Sequence, residues 1–412
     1  MAESKSVIRI LVVIRVILVQ WLLAGPPSHS SQAGRIAYMK YRQSSFTLTL
    51  LIVVAAVGCS SSDPVTEGYS TEDAGKTTPA KRDKSSTKAV AETEATKPVT
   101  PPMAQLFEGM GNHEHKVSTD SKEVQRYFNQ GLTWMYAFNH DEAIRSFTRA
   151  AELDENCAMA WWGVSLASGP HYNPPPMSEE RHAAAWAAMQ KALERIEHTT
   201  PLERALIEAL KHRNPESQPE DRTKYNEAYA EAMGKVWDAY PEDSDVGTLY
   251  ADAMMVQMPW QLYSLDFEPA KDTPTIEAVL ERVMAMDPDH PGANHLYIHA
   301  VEPSSSPQRG LVAADRLSDM IPASGHLYHM PSHIYVQTGD WDRAVVQNEK
   351  AMRSDAAYRT LSPNQGLQHM YMTHNAHMLA YAAMMSGRER EALAAGRAMW
   401  KDVPPDALRQ FA

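Results

Sequence analysis

Two histidine pairs recur in register. His295 and His299 sit four apart, His329 and His333 sit four apart, and the second pair follows the first by 34 residues. Four residues make about one helical turn, so each pair projects from one face of a helix. A step of this length is the period of helix–turn–helix repeat arrays. In such an array, equivalent positions on neighbouring first helices share a surface. His374 and His377 repeat the spacing of His326 and His329. The pattern predicts adjoining helices that present imidazoles to a common face, either as a ligand site or as a by-product of repeat divergence.

From about residue 104 onward the apolar positions keep helical spacing without strand alternation. The clearest unit spans 127–156, with Tyr127, Gly131 and Trp134 on a first helix and Ala143, Phe147 and Ala150 on a second. The small residues let two antiparallel helices approach closely. Asn139 falls at the turn, where a left-handed backbone is expected. Trp161, 34 residues after Tyr127, opens a second unit. Gly339-Asp340-Trp341-Asp342 with Ala344 and Ala351 marks another, as does Ser386-Gly387-Arg388 with Ala392. These units resemble the tetratricopeptide repeat (TPR), with Glu155 in place of the usual proline. The resemblance implies an all-α fold, a right-handed α-solenoid of about seven antiparallel helix pairs over residues 103–412.

Between the clear units, Ser178 is a cap for a helix reaching about residue 197, and Thr200-Pro201-Leu202-Glu203 is a capping box with proline in the first turn. Further helices are expected over 221–240, 243–258 and 274–286, with an insertion at 259–272. His171, before three prolines, reads as a surface insertion, and His113 and His115 as solvated residues of a polar lead-in. The 23 methionines, including Met254, Met255, Met384 and Met385, read as core filler.

The N-terminal quarter reads as an address. A basic start at residues 39–42 precedes an apolar run over 44–57, then Gly58 and Cys59. Ala56-Val57-Gly58-Cys59 resembles a bacterial lipobox, which implies a signal peptide at 39–58, lipidation at Cys59 and a place in the bacterial cell envelope, with Ser60 compatible with outer-membrane sorting. The run is short for a span of about 20 residues. Because a complete signal begins at Met39, residues 1–38 are expected to be a mis-assigned extension. Residues 59–102 are rich in Ser, Thr, Lys, Glu and Pro, and read as a disordered tether that holds the repeat domain off a membrane. The only other cysteine, Cys157, reads as a core residue at a helix start, so the folded part has no internal disulfide. A formal net charge of −12 speaks against a nucleic-acid partner.

In the TPR family the concave groove is lined by first-helix residues flanking the small packing position. Carried over, these are Phe128 and Leu132 around Gly131, His295 and His299 around Ile298, His329 and His333 around Ser332, and His377 and Tyr381 around Ala380. His326 and His374 lie three residues further back, Asp252 follows Ala251, and Glu302 lies three after His299. Pro331 tests this register, because a proline inside a helix removes a hydrogen bond.

Two functions of different classes follow. The resemblance implies a scaffold that holds a protein, a peptide or a small ligand in its groove. The histidines imply a metal-dependent enzyme or metal-binding protein. One transition-metal ion (Zn, Cu or Fe) would be held by some of His295, His299, Glu302, His329, His333 and His377. The His-Glu-x-x-His pattern of metalloproteases is absent, as are phosphate loops, Ser-His-Asp arrangements and Cys-x-x-Cys.

Overall fold

The computed structural model describes residues 104–173, 177–362, 366 and 368–402. These belong to one compact unit, Met103–Pro404. The extension, signal peptide, Cys59 and tether lie outside the described residues. Among the described residues no helix is long and apolar enough to cross a membrane.

The unit is built of helices in antiparallel pairs. The order is α1 (Lys122–Tyr136), α2 (His140–Leu153), α3 (Ala158–Ser168), α4 (Glu179–Glu194), α5 (Pro201–Leu210), α6 (Thr223–Ala239), α7 (Ser244–Met255) and α8 (Thr273–Met286). It continues with α9 (Pro291–Val301), α10 (Leu311–Leu317), α11 (Gly325–His329), α12 (Pro331–Thr338), α13 (Trp341–Leu361), α14 (Gln368–Met385) and α15 (Glu389–Asp402). With α11 and α12 taken as one interrupted helix, the described residues form seven pairs. The only β element among them is one antiparallel bridge, Tyr263 to Pro269, in the insertion before α8.

Local chemistry sets the helix boundaries. Ser121, Asn139, Ser178, Asp243 and Asp340 each accept a backbone N–H of the first turn. Thr200 and Glu203 complete the capping box at α5. The α1–α2 turn differs from the sequence expectation in one detail. Phe138 takes the left-handed backbone, at φ 57°, and Asn139 is the cap at φ −90°. This places the Phe138 ring inside the fold, where it is 5 % exposed.

The pairs pack through small residues. Phe147 of α2 lies between Gly131 of α1 and Gly163 of α3, and a Cβ at those glycines would come within 2.7 and 2.5 Å of its ring. One aromatic side chain thus serves two helix contacts. Cys157, at the start of α3, is buried as expected, and burial pushes its thiol up to about 11. Met254 and Met255 are also core.

The array also folds back on itself. The C-terminal end of α1 packs on the start of α9, where a Cβ on Gly292 would collide with Tyr136. Every residue of α9 is consequently buried. The lead-in, 104–118, crosses several pairs. Phe107 stacks edge-on to Trp134, the Gly109 carbonyl accepts from Ala323, and Ser118 binds Glu203.

His113 and His115 are therefore not solvated. They hold Asp245 of α7 at 3.0 and 2.8 Å, and Tyr136 and His290 share the same carboxylate. Burial alone would lower the His115 pKa, but the Asp245 charge outweighs it and raises it to about 9. Asp245 is buried too, and the two histidines hold it well below the usual carboxylate range. Asp243 and Glu203 add smaller attractions to His115, and Asp287 to His113.

A raised histidine pKa stabilises the fold fully below its unfolded value near 6.5, and that contribution fades as pH climbs through about 9. The depressed Asp245 contributes above 3.8 and less as pH falls. Protease cleavage within 109–117, normalised to an unfolded peptide, should therefore accelerate between pH 6 and pH 9.5. His115→Ala should cleave quickly at both. A flat profile in the parent protein would rule the pairing out.

Candidate metal centre

Helix α9 carries His295 and His299, 0 % and 2 % exposed. The following helix pair supplies His326 and His329 from α11 and His333 from α12. Pro331 interrupts this helix without turning it. Met330 stays helical at φ −52°, ψ −40°, its N–H donates to His326 O, and α12 restarts with proline at its first position, where no N–H is needed. His329 and His333 accordingly share one face, their Nε2 atoms 2.9 Å apart. Helix α14 adds His374 and His377.

Two sets of three histidines result. In His295, His299 and His326, one ring nitrogen from each lies within 4.8 Å of the others, and the same holds for His329, His333 and His374. The sets adjoin. The His326 and His329 rings are 5.9 Å apart, as are those of His299 and His333. His377 stays further out, with its ring 5.7 Å from that of His374. A tetrahedral ion with bonds near 2.05 Å places its ligand nitrogens about 3.4 Å apart, so small ring movements would close either set.

Outer contacts decide which ring nitrogens face inward. His295 donates from Nδ1 to the Tyr136 carbonyl at 2.6 Å. His329 Nδ1 meets Asn348 Oδ1 at 2.7 Å, and the Asn348 amide is oriented by its own donation to Ala344 O. His333 Nδ1 meets Glu302 Oε2 at 2.6 Å, and Glu302 Oε1 lies 3.8 Å from His299 Nδ1. Protons held at Nδ1 leave Nε2 as a lone pair. The His329 and His333 lone pairs then face each other, which requires a cation, either a proton or a metal ion, between them. In the other set, His295 Nε2 and both nitrogens of His299 and of His326 are buried without a hydrogen-bond partner among the described residues. Each such group costs about 1–3 kcal/mol if it stays unpaired.

Burial favours the neutral form, the one that binds metals, at six of these rings. It holds His295, His326, His329 and His374 well below the usual histidine range, aided by neighbouring imidazoles, and lowers His299 and His377 as well. For Glu302, burial alone would raise the pKa. The adjacent His333, which hydrogen-bonds it, and the nearby His299 outweigh this and keep the carboxylate ionised.

The other residues nominated from sequence lie apart from these sets. Phe128 and Leu132 are core, with Phe128 packed on Phe147. Asp252 is buried with Arg213 as the charge acting on it, and desolvation lifts it to about 6. Several neighbours carried no sequence signal. Phe138 contacts His295, His299 and His326, with ring centroids 4.3 to 5.8 Å away. His140 and His171 stack at 4.0 Å, which leaves His171 half-buried and not on the open surface its loop suggests. Burial and the charges of Arg181 and Arg213 press His171 down to about 3. Tyr172 and Trp260 flank His299, and Tyr371 covers His326.

No family model matches the chain, and no curated protein matches it. Among solved structures it is similar to the MamA RS-1 ArsTM double mutant, at 13% identity and a TM-score of 0.27, covering 59% of this chain and 99% of that one. It is also similar to the TPR domain of P58(IPK), at 12% identity and a TM-score of 0.22, covering 70% and 75%. Superposition this loose carries no inference about function. The helix-pair architecture rests on the order and packing of the elements themselves.

Proposed function

We propose that this chain is a transition-metal protein whose ion is held inside a helical-repeat array by His329, His333 and His374. The observation that carries the reading is the pair of inward-facing Nε2 atoms 2.9 Å apart, each with its Nδ1 engaged by an outer acceptor, and a third imidazole beside them. A proton could serve two of these nitrogens, whereas a metal ion serves all three and leaves a coordination position open. Acceptors behind the ligating rings are the usual second layer of such sites, and here they are Asn348 and Glu302. The donor set is imidazole alone, which suits Zn, Cu, Fe and Ni and not Mg or Ca. When bound, the ion would supply Lewis-acid or redox chemistry. The chain would supply fixed neutral ligands and a site largely closed to water.

The N-terminal part completes the proposal. Lipidation at Cys59 and a tether over 59–102 would place the array at a bacterial envelope membrane. Repeat arrays are protein-interaction scaffolds in general, and the solvent-facing helices leave this one free to engage a partner as well. The nominated groove residues favour the metal reading over peptide capture at that place, because most are covered by the chain itself.

Elemental analysis of the full chain, purified without a histidine tag or added metal, tests the proposal. At least one equivalent of Zn, Cu, Fe or Ni is expected, lost in His329→Ala/His333→Ala. A protein that carries no metal and takes none up on titration would overturn it.

A further inference from the structure

We infer that the array holds a second ion, so that the cluster is a two-ion centre loaded with copper(I), one ion on His329, His333 and His374 and the other on His295, His299 and His326. The inference rests on the metal reading above and deepens it.

The second set makes its own case. Its three rings come from α9 and α11 and are 0 to 2 % exposed. Five of their six ring nitrogens are buried without a hydrogen-bond partner among the described residues. A purely structural core histidine normally finds a partner, as His295 does at Nδ1 with the Tyr136 carbonyl. Three neighbours lacking one at the same place point to a shared ligand. Each neutral imidazole keeps one N–H and offers one lone pair, so the three rings can converge three lone pairs on one point, and what binds three lone pairs is a cation. Phe138, Tyr172 and Tyr371 pack around these rings and keep water from satisfying them.

Charge selects the metal. The two sets meet at ring separations of 5.9 Å, so two ions would lie close together in a buried site. All six ligands are neutral, and the one carboxylate in contact is Glu302, between His299 and His333. Two divalent ions would bring four positive charges against one negative. Two copper(I) ions bring two. Uncompensated buried charge is strongly unfavourable, so the monovalent ion is the better match. Copper also accepts imidazole and low coordination numbers readily.

The test is an anaerobic copper(I) titration of the full metal-free chain against a chromophoric chelator, in a Cys59→Ser background so that a Cys59 thiol left without lipid does not compete. Two equivalents are expected. His295→Gln/His326→Gln should lose one and keep one, and His329→Gln/His374→Gln should do the same. Circular dichroism of each variant reports folding, and where a pair fails to fold, the single variants His326→Gln and His374→Gln replace it. A parent that binds one equivalent overturns the second ion and leaves the metal reading standing. A parent that binds no copper(I) overturns this inference, and the elemental analysis above decides the metal reading separately. Two equivalents unaffected by any folded variant, or both lost together in each, would also overturn the assignment of one ion to each set.

Discussion

Saturating the protein with the proposed metal ion should raise the unfolding midpoint, and the rise should vanish in His329→Ala/His333→Ala. A ligand that binds only the folded state stabilises it by about 2.7 kcal/mol at a hundred times its dissociation constant and by about 4.1 kcal/mol at a thousand times. The ligands come from two separate helical segments, α11–α12 and α14, so the unfolded chain cannot present them together. The double variant also removes two mutually opposed lone pairs and leaves space behind. Its metal-free stability therefore shifts by a balance of two effects. The diagnostic quantity is the difference between loaded and unloaded midpoints, measured by calorimetry for parent and variant. An equal rise in both proteins would place the ion elsewhere, and no rise in the parent would remove it.

Phe147→Ala should destabilise the protein by about 3–5 kcal/mol, the range for deleting a buried aromatic ring. Phe147 is wholly buried, packs on Phe128 at 5.3 Å, and fills the space left by both Gly131 and Gly163. Neither glycine can grow to fill the void, so α1, α2 and α3 lose their common contact at once. Because α1 also carries the turn that presents Phe138 to the histidines, metal uptake should weaken as well. Val346→Ala, at a position 43 % exposed, is the control and should change stability by no more than about 0.5 kcal/mol. Denaturant unfolding of the two variants checks this. A loss below 1 kcal/mol for Phe147→Ala would mean that the first pairs relax around the gap.

What could be read from the sequence was what local geometry decides. The caps at Ser178 and Thr200, the glycine–aromatic packing of 127–156 and the four-residue histidine spacings depend on residues within a turn or two of each other. The helical pairs and the presence of a histidine-rich face follow from them. Even Pro331 did not break the register, because a single helical residue, Met330, carries the path across it.

Membership of the site was a tertiary matter. Sequence nominated His377 as a ligand, and the structure groups His374 with His329 and His333, because the packing of α14 on its neighbours decides which of its two histidines lies beside them. His326 and His374 had looked like secondary groove positions and turn out to be ligand candidates. His113 and His115 had looked solvated and instead bind Asp245, 130 residues away along the chain from His115. Phe138, His140 and His171 join because the α1–α2 turn returns to α9, with His295 meeting the Tyr136 carbonyl across 159 residues. Helical periodicity states which residues share a face. It does not state which distant face comes to cover it, because that depends on how small rotations between successive pairs add up until the first pair meets the fifth. The sequence by itself determined the repeat and the imidazole pairs; only the closure of the array decided that they are buried and mutually close, and that His295 and His299 lack a partner at Nε2.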